Sequence, residues 1–177
     1  DLGADEYFVP LGSELNGDYL VGTGYSLPVG FSSITEAVSY LNCYGVSGPV
    51  RFLLTDALYS PTKGLPAVNE NYPITITMVK GGSSVNTVTF KPQTGVNALV
   101  TGNIPLHGMF VLEGADYIFF DGANTNGGTS KNLTFTNTHG STPLFMLRND
   151  AQNNIIKHSV IKGRTNYAGG ALVVFGP

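Results

Sequence analysis

"MFVLEGADYIFFDG", residues 109–122, returns in altered form as "LFMLRNDAQNNIIKHS", residues 144–159. Phe110-Val111-Leu112 falls against Phe145-Met146-Leu147 at an offset of 35, and Ile118-Phe119 against Ile155-Ile156 at an offset of 37. Leu133 and Phe135 then correspond to the segment around Val160 and Ile161, and "ALVVFG" (171–176) begins a third copy. Each copy carries three short apolar segments separated by bends, with a longer loop after Asp121 in the first. A chain that repeats strand, bend, strand, bend, strand can wind as a coil, each strand pairing in parallel with its equivalent one turn later.

The same kind of segment extends upstream. "PVRFLLT" (49–55), "PITITMV" (73–79), "TVTFKP" (87–92) and "ALVTG" (98–102) are candidate strands, as are "NLTFTN" (132–137) and "NIIKHSVIKG" (154–163). Most close on Gly, Asn or Asp, where the chain can turn. Asn126-Gly127 is the one tight hairpin signal between them, which disfavours an antiparallel meander. Residues 1–30 read as extended and irregular. Ahead of the β region stands one helix, "SSITEAVSYLNCYG", with Ser33 as N-cap, Glu36 completing a capping box and Gly45 as C-terminal cap. Ile34, Ala37, Val38 and Leu41, with Tyr44 at the margin, form its apolar stripe. Cys43, the only cysteine, is expected on that apolar side as a small buried hydrophobe.

Charged residues make up only 12% of the chain, against about 25% in ordinary globular proteins. With 42% apolar residues and 23 glycines, this is the composition of a turn-rich β protein and not of a disordered chain. The net charge of −3 supplies no attraction to nucleic acid, and no apolar run approaches the ~20 residues of a transmembrane helix. The acidic start "DLGADEYF" lacks the basic and apolar regions of a signal peptide, so a secreted form would have lost its signal already.

"EGADYIFFDG" and "AQNNIIKHSVIKG" resemble coils of the right-handed parallel β-helix, or pectin-lyase-like, family. "DYLVGTGYS", the helix and "GVSGPVRFLL" resemble the N-terminal cap of secreted β-helix proteins from Bacteroidota-type bacteria. The likeness covers about residues 18–176. It implies an all-β fold, a right-handed parallel β-helix (solenoid) with one N-terminal capping α-helix. Residues 1–48 are then the extended segment and cap, and residues 49–177 the coils. It further implies a secreted or cell-surface location. The final segment, with no capping pattern after it, is expected to meet further coils of its own chain or another subunit.

Activity does not follow from this architecture. Lyases on it need a carboxylate cluster for calcium and a basic residue to take a proton, and hydrolases need closely spaced Asp residues. The acidic residues of the β region, Asp56, Glu70, Glu113, Asp116, Asp121 and Asp150, include no adjacent pair and no DxxD spacing. No catalytic residue, metal ligand or cofactor is therefore assigned. Asp121 and Asp150 read as turn residues, and His158 has no other His near it for a metal.

Two features remain as candidate ligand contacts. The loop "GANTNGGTSKN" (122–132) is longer than a bend requires and offers Asn124, Asn126 and Lys131. The stretch "AQNNIIKHSVIKGR" (151–164) offers Lys157 and Arg164, with Lys162, to an acidic sugar, although charges around a rung are ordinary on a surface. Tyr25, Tyr59, Tyr72 and Tyr167 are too scattered for a sugar platform and fit better as covers for the cap and coil edges. The expected function is a non-catalytic extracellular scaffold, surface-layer or adhesin-type element. The alternatives are the N-terminal part of a polysaccharide lyase or glycoside hydrolase, and a carbohydrate-binding module using the 122–132 loop.

Overall fold

Short runs of alternating apolar residues form strands, because alternation puts every second side chain on one face. In the computed structural model, which describes residues 12–61, 68–105, 107–163 and 171–176, β1 (Leu15–Val21) and β2 (Gly30–Phe31) precede α1 (Ile34–Tyr44). Next come β3 (Val46–Leu54), β4 (Leu58–Ser60), β5 (Val68–Asn69) and β6 (Ile74–Thr77). They are followed by β7 (Val88–Pro92), β8 (Ala98–Gly102), β9 (Phe110–Glu113), β10 (Ile118–Asp121), β11 (Leu133–Asn137) and β12 (Phe145–Arg148). β13 (Ile155–Lys157), β14 (Ser159–Gly163) and β15 (Val173–Phe175) complete the described elements.

From β6 onward, successive strands are dealt to three sheets in rotation. The first sheet runs β13-β10-β7-β3-β1-β2, the second β14-β11-β8-β4-β5 and the third β15-β12-β9-β6. Every pairing among the described strands is parallel. The protein is thus predominantly β, built of parallel sheets, with one helix among the described residues.

Register turns the alternation into rows of like residues. In the first sheet Tyr19, Phe52, Phe90, Phe120 and Ile156 stand opposite one another in succession. The Phe52 and Phe90 rings lie 4.9 Å apart, and Phe90 stacks on Phe120 at 5.3 Å. In the third sheet Ile74, Phe110, Phe145 and Val173 form the equivalent row, with Phe110 and Phe145 stacked at 5.4 Å. Phe135, from the second sheet, meets Phe110, Phe120 and Phe145 edge-on. One core therefore joins all three sheets, and such ring pairs add to what area burial alone contributes.

The helix is tied to the open edges of two sheets. Asn42 donates its amide to Thr75 O at 2.8 Å and accepts from Thr77 N at 3.1 Å, as a neighbouring strand would at the edge of β6. Glu70, just past β5 and 2% exposed, accepts from the N–H groups of Ile34 and Thr35 at 2.8 Å each and from the Thr35 hydroxyl at 2.5 Å. A carboxylate there satisfies orphan donors of the first turn and faces the positive end of the helix dipole. Burial nevertheless raises the Glu70 carboxyl, with the Thr35 and Ile34 hydrogen bonds opposing it.

The helix begins and ends where its residues indicate. Ser33 Oγ accepts from Glu36 N at 3.0 Å, and Gly45, at φ 72°, donates to Leu41 O at 2.8 Å. Glu36 reaches back to Ser32 N and Oγ, at 2.7 and 2.6 Å, one residue earlier than a standard capping box. Cys43 is a correction: it is exposed, because it lies roughly 200° around the helix from the buried Leu41.

The repeat in the sequence is real, with one slip. Phe110, Val111 and Leu112 face Phe145, Met146 and Leu147 as expected. Ile155, however, lies opposite Phe119, not Ile118. A single-residue slip exchanges the inner and outer faces, so Ile156 continues the Phe120 row while Ile155 is 41% exposed. The first part of the chain also holds more order than it suggests: β1 lies beside β3 in the first sheet.

Candidate functional site

Three places on the outer surface gather polar and charged groups. The most enclosed lies beneath the 122–132 loop. Lys91 sits between Phe90 and Pro92 near the end of β7, where Phe90 faces the core, so alternation turns Lys91 outward. It is nevertheless only 8% exposed, because the loop folds over it and the Thr125 carbonyl accepts its ammonium at 3.4 Å. Between loop and sheet is a cavity of about 360 Å³, lined by Asp18, Arg51, Lys91, Gln93, Thr94, Asn124 and Asn126 among others. Asp18 and Arg51 stand opposite each other on β1 and β3, joined by two hydrogen bonds of 2.7 and 2.6 Å.

The loop is pinned rather than slack. Ala123 N donates to Asp121 Oδ1 at 3.1 Å, Asn124 Nδ2 to Val96 O at 3.3 Å and Asn132 Nδ2 to Asn97 Oδ1 at 2.5 Å. Asn124 is half-buried and Asn126 exposed. A second, shallower groove of about 280 Å³ contains Lys131 and Lys162 beside Asn97, Asn132 and Thr134.

The third place is the corner between β10 and β13. His158 Nδ1 lies 2.9 Å from Asp121 Oδ1, and Lys157 Nζ 3.4 Å from Asp121 Oδ2. Burial by itself raises the Asp121 carboxyl. Hydrogen bonds from His158 and Ala123 N–H, with the charge of Lys157, outweigh it and hold the group below the usual carboxylate range. His158 occupies the left-handed region at φ 49°, and its carbonyl comes so close to Gly122 that a Cβ there would lie 1.8 Å from it. Only glycine fits at 122.

The five expected contact residues therefore separate. Asn124 and Asn126 share the loop cavity, Lys131 faces the second groove, Lys157 is paired with Asp121, and Arg164 lies outside the described residues. Asp18, Arg51 and Lys91 were not among them. Their association depends on which strands of the first sheet are neighbours, and only the β10–β13 part of that sheet's order is written in a local repeat. Of the tyrosines, Tyr59 is fully buried and donates to Val21 O at 2.6 Å, while Tyr72 packs edge-on against Phe110. Tyr167 is outside the described residues.

The acidic side chains are engaged one by one. Asp56 accepts from Thr23 N, Glu70 holds the helix, Glu113 pairs with Arg148, Asp116 accepts from Gln152 N, and Asp150 accepts from the Gln152 amide. Among the described residues no three His, Cys, Asp or Glu side chains are grouped to hold a metal ion, and no helix is long and apolar enough to cross a membrane.

The fold and surface define a class of protein: parallel β-sheets sharing one core, with a helix bound to their edges. Comparison of the chain with family models, curated proteins and solved structures returns no match.

Proposed function

We propose that the three sheets are the faces of one right-handed parallel β-helix, and that the protein is a non-catalytic extracellular element built on it, of scaffold, surface-layer or adhesin type. The rotation of strands among three sheets supports the coil. The hand follows from the strong preference of parallel crossover connections for right-handed turns. The observation that carries the non-catalytic reading is the commitment of Asp56, Glu70, Glu113, Asp116, Asp121 and Asp150 to turns, caps and ion pairs. Each carboxylate is engaged by a structural partner, and among the described residues no three acidic or metal-ligating side chains are grouped. Low charge and a Gly-rich polar surface fit an extracellular setting.

The end of the stack formed by β13, β14 and β15 carries an apolar cavity of about 320 Å³, lined by Ile156, Ile161, Val173 and Phe175 among others. Phe175 is 77% exposed. A further coil, the chain's own or a second copy's, would continue these rows and cover them. The test of the scaffold reading is a screen of neutral and uronic-acid polysaccharides for chain cleavage. The proposal expects no turnover, and cleavage of any of them by this chain would overturn it.

A second reading is favoured by the cavity under the 122–132 loop: a binding role, with the β-helix as the rigid support of a polar ligand site.

A further inference from the structure

We infer that the cavity beneath the 122–132 loop is a binding site for an oxyanion, a carboxylate or sulfate group, with Lys91 as its charged anchor. The inference rests on the binding reading of that loop and names the chemistry it would recognise.

Lys91 is an outward-facing residue buried by a loop. The residue is 8% exposed, and its ammonium makes one long hydrogen bond, to the Thr125 carbonyl at 3.4 Å. Among the described residues no carboxylate lies within ion-pair distance of it. A largely covered lysine with no counter-charge beside it is electrostatically incomplete, and an anion in the adjoining cavity would supply that charge.

The acid that lines the cavity does not compete for this role. Asp18 is taken by Arg51 through two hydrogen bonds of 2.7 and 2.6 Å, which leaves Lys91 as the surplus positive charge of the cavity. Residues that carry further donors, Arg51, Thr94 and Asn126, line the same space. At about 360 Å³ the cavity falls within the small-ligand range, which starts near roughly 300 Å³. It has room for the group that bears the anion. The loop is fastened at Val96 and Asn97, so the roof is set before a ligand arrives.

Calorimetric titration of the intact protein with sodium sulfate and sodium acetate at constant ionic strength tests this. Dextran sulfate and unsulfated dextran serve as polymeric arms. Saturable one-to-one binding of sulfate or acetate is expected. It should weaken by about tenfold or more in Lys91→Met, which keeps the buried stem and loses the charge. Asn126→Asp, at an exposed position, should weaken it as well by placing a carboxylate at the rim. Lys80→Met, an exposed lysine paired with Glu14, is the control and should bind as the native chain does. Competition by dextran sulfate would assign the anion to a polymer, and its failure to compete would assign a free anion. Absence of saturable binding to every anionic probe, or undiminished binding in Lys91→Met or Asn126→Asp, overturns the site. Binding of unsulfated dextran alone would also overturn it while leaving the general binding reading intact.

Discussion

At the residue scale, the consequences of register are largest at neighbouring isoleucines. Ile156 continues the row of Phe120, whereas Ile155 is substantially exposed. Ile156→Asp places an unpaired carboxylate against the core and should cost more than about 3 kcal/mol, enough to abolish cooperative folding in a marginally stable domain. Ile155→Asp should change stability by less than about 1 kcal/mol. Thermal melting of the two variants checks this, and equal sensitivity would mean that the register is wrong. Asp121 gives a pH test. Its carboxyl is held below the usual range, so its contribution to stability is present above the unfolded-state value and is lost as pH falls through the folded one. The melting difference between native protein and Asp121→Asn should be greatest near neutrality and shrink below about pH 4. Solvent screening keeps it under about 1 kcal/mol. Comparing the two chains removes the opposite contribution of Glu70, whose raised carboxyl favours the fold at acid pH.

At the scale of the element, local signals were the readable ones. Ser33, Gly45 and the Ile34-Ala37-Val38-Leu41 stripe marked the helix, and period-two runs such as "NLTFTN" marked the strands, because capping and alternation act within a few residues. What holds the helix in place is not local. Glu70 is separated from Ile34 by 36 residues and Asn42 from Thr75 by 33, and nothing in a lone Glu or Asn announces such a partner. The loop cavity was half legible for the same reason. Asn124 and Asn126 stand out in a polar loop, while Lys91 reads as a routine outward strand lysine until the loop is seen to cover it. Glu70→Ala should therefore destabilise the protein by about 2–3 kcal/mol, since it strands buried helix donors. Asn42→Ala should cost about 1 kcal/mol. Chemical denaturation measures both, and a neutral Glu70→Ala would show that Glu70 does not hold the helix.

At the scale of the molecule, three parallel sheets share one core, and the helix side and the β13–β14–β15 side of it differ. The helix satisfies the β6 edge through Asn42, while the β13–β14–β15 end shows Ile155 and Phe175 to solvent. Phe175→Asp should suppress concentration-dependent association in sedimentation experiments if a second copy covers that end. The repeat legible at residues 109–122 and 144–159 is a short view of this parallel pairing; unequal connections between the strands, above all the 122–132 loop, obscure the rest. The central feature of the fold is that β3, β7, β10 and β13 are successive parallel neighbours in register. Interstrand nuclear Overhauser contacts in the isotopically labelled protein measure this most directly. Backbone contacts linking Phe52 with Phe90, Phe90 with Phe120 and Phe120 with Ile156 are the expected result. Contacts pairing β10 with β11 in antiparallel fashion, without any between Phe90 and Phe120, would contradict it.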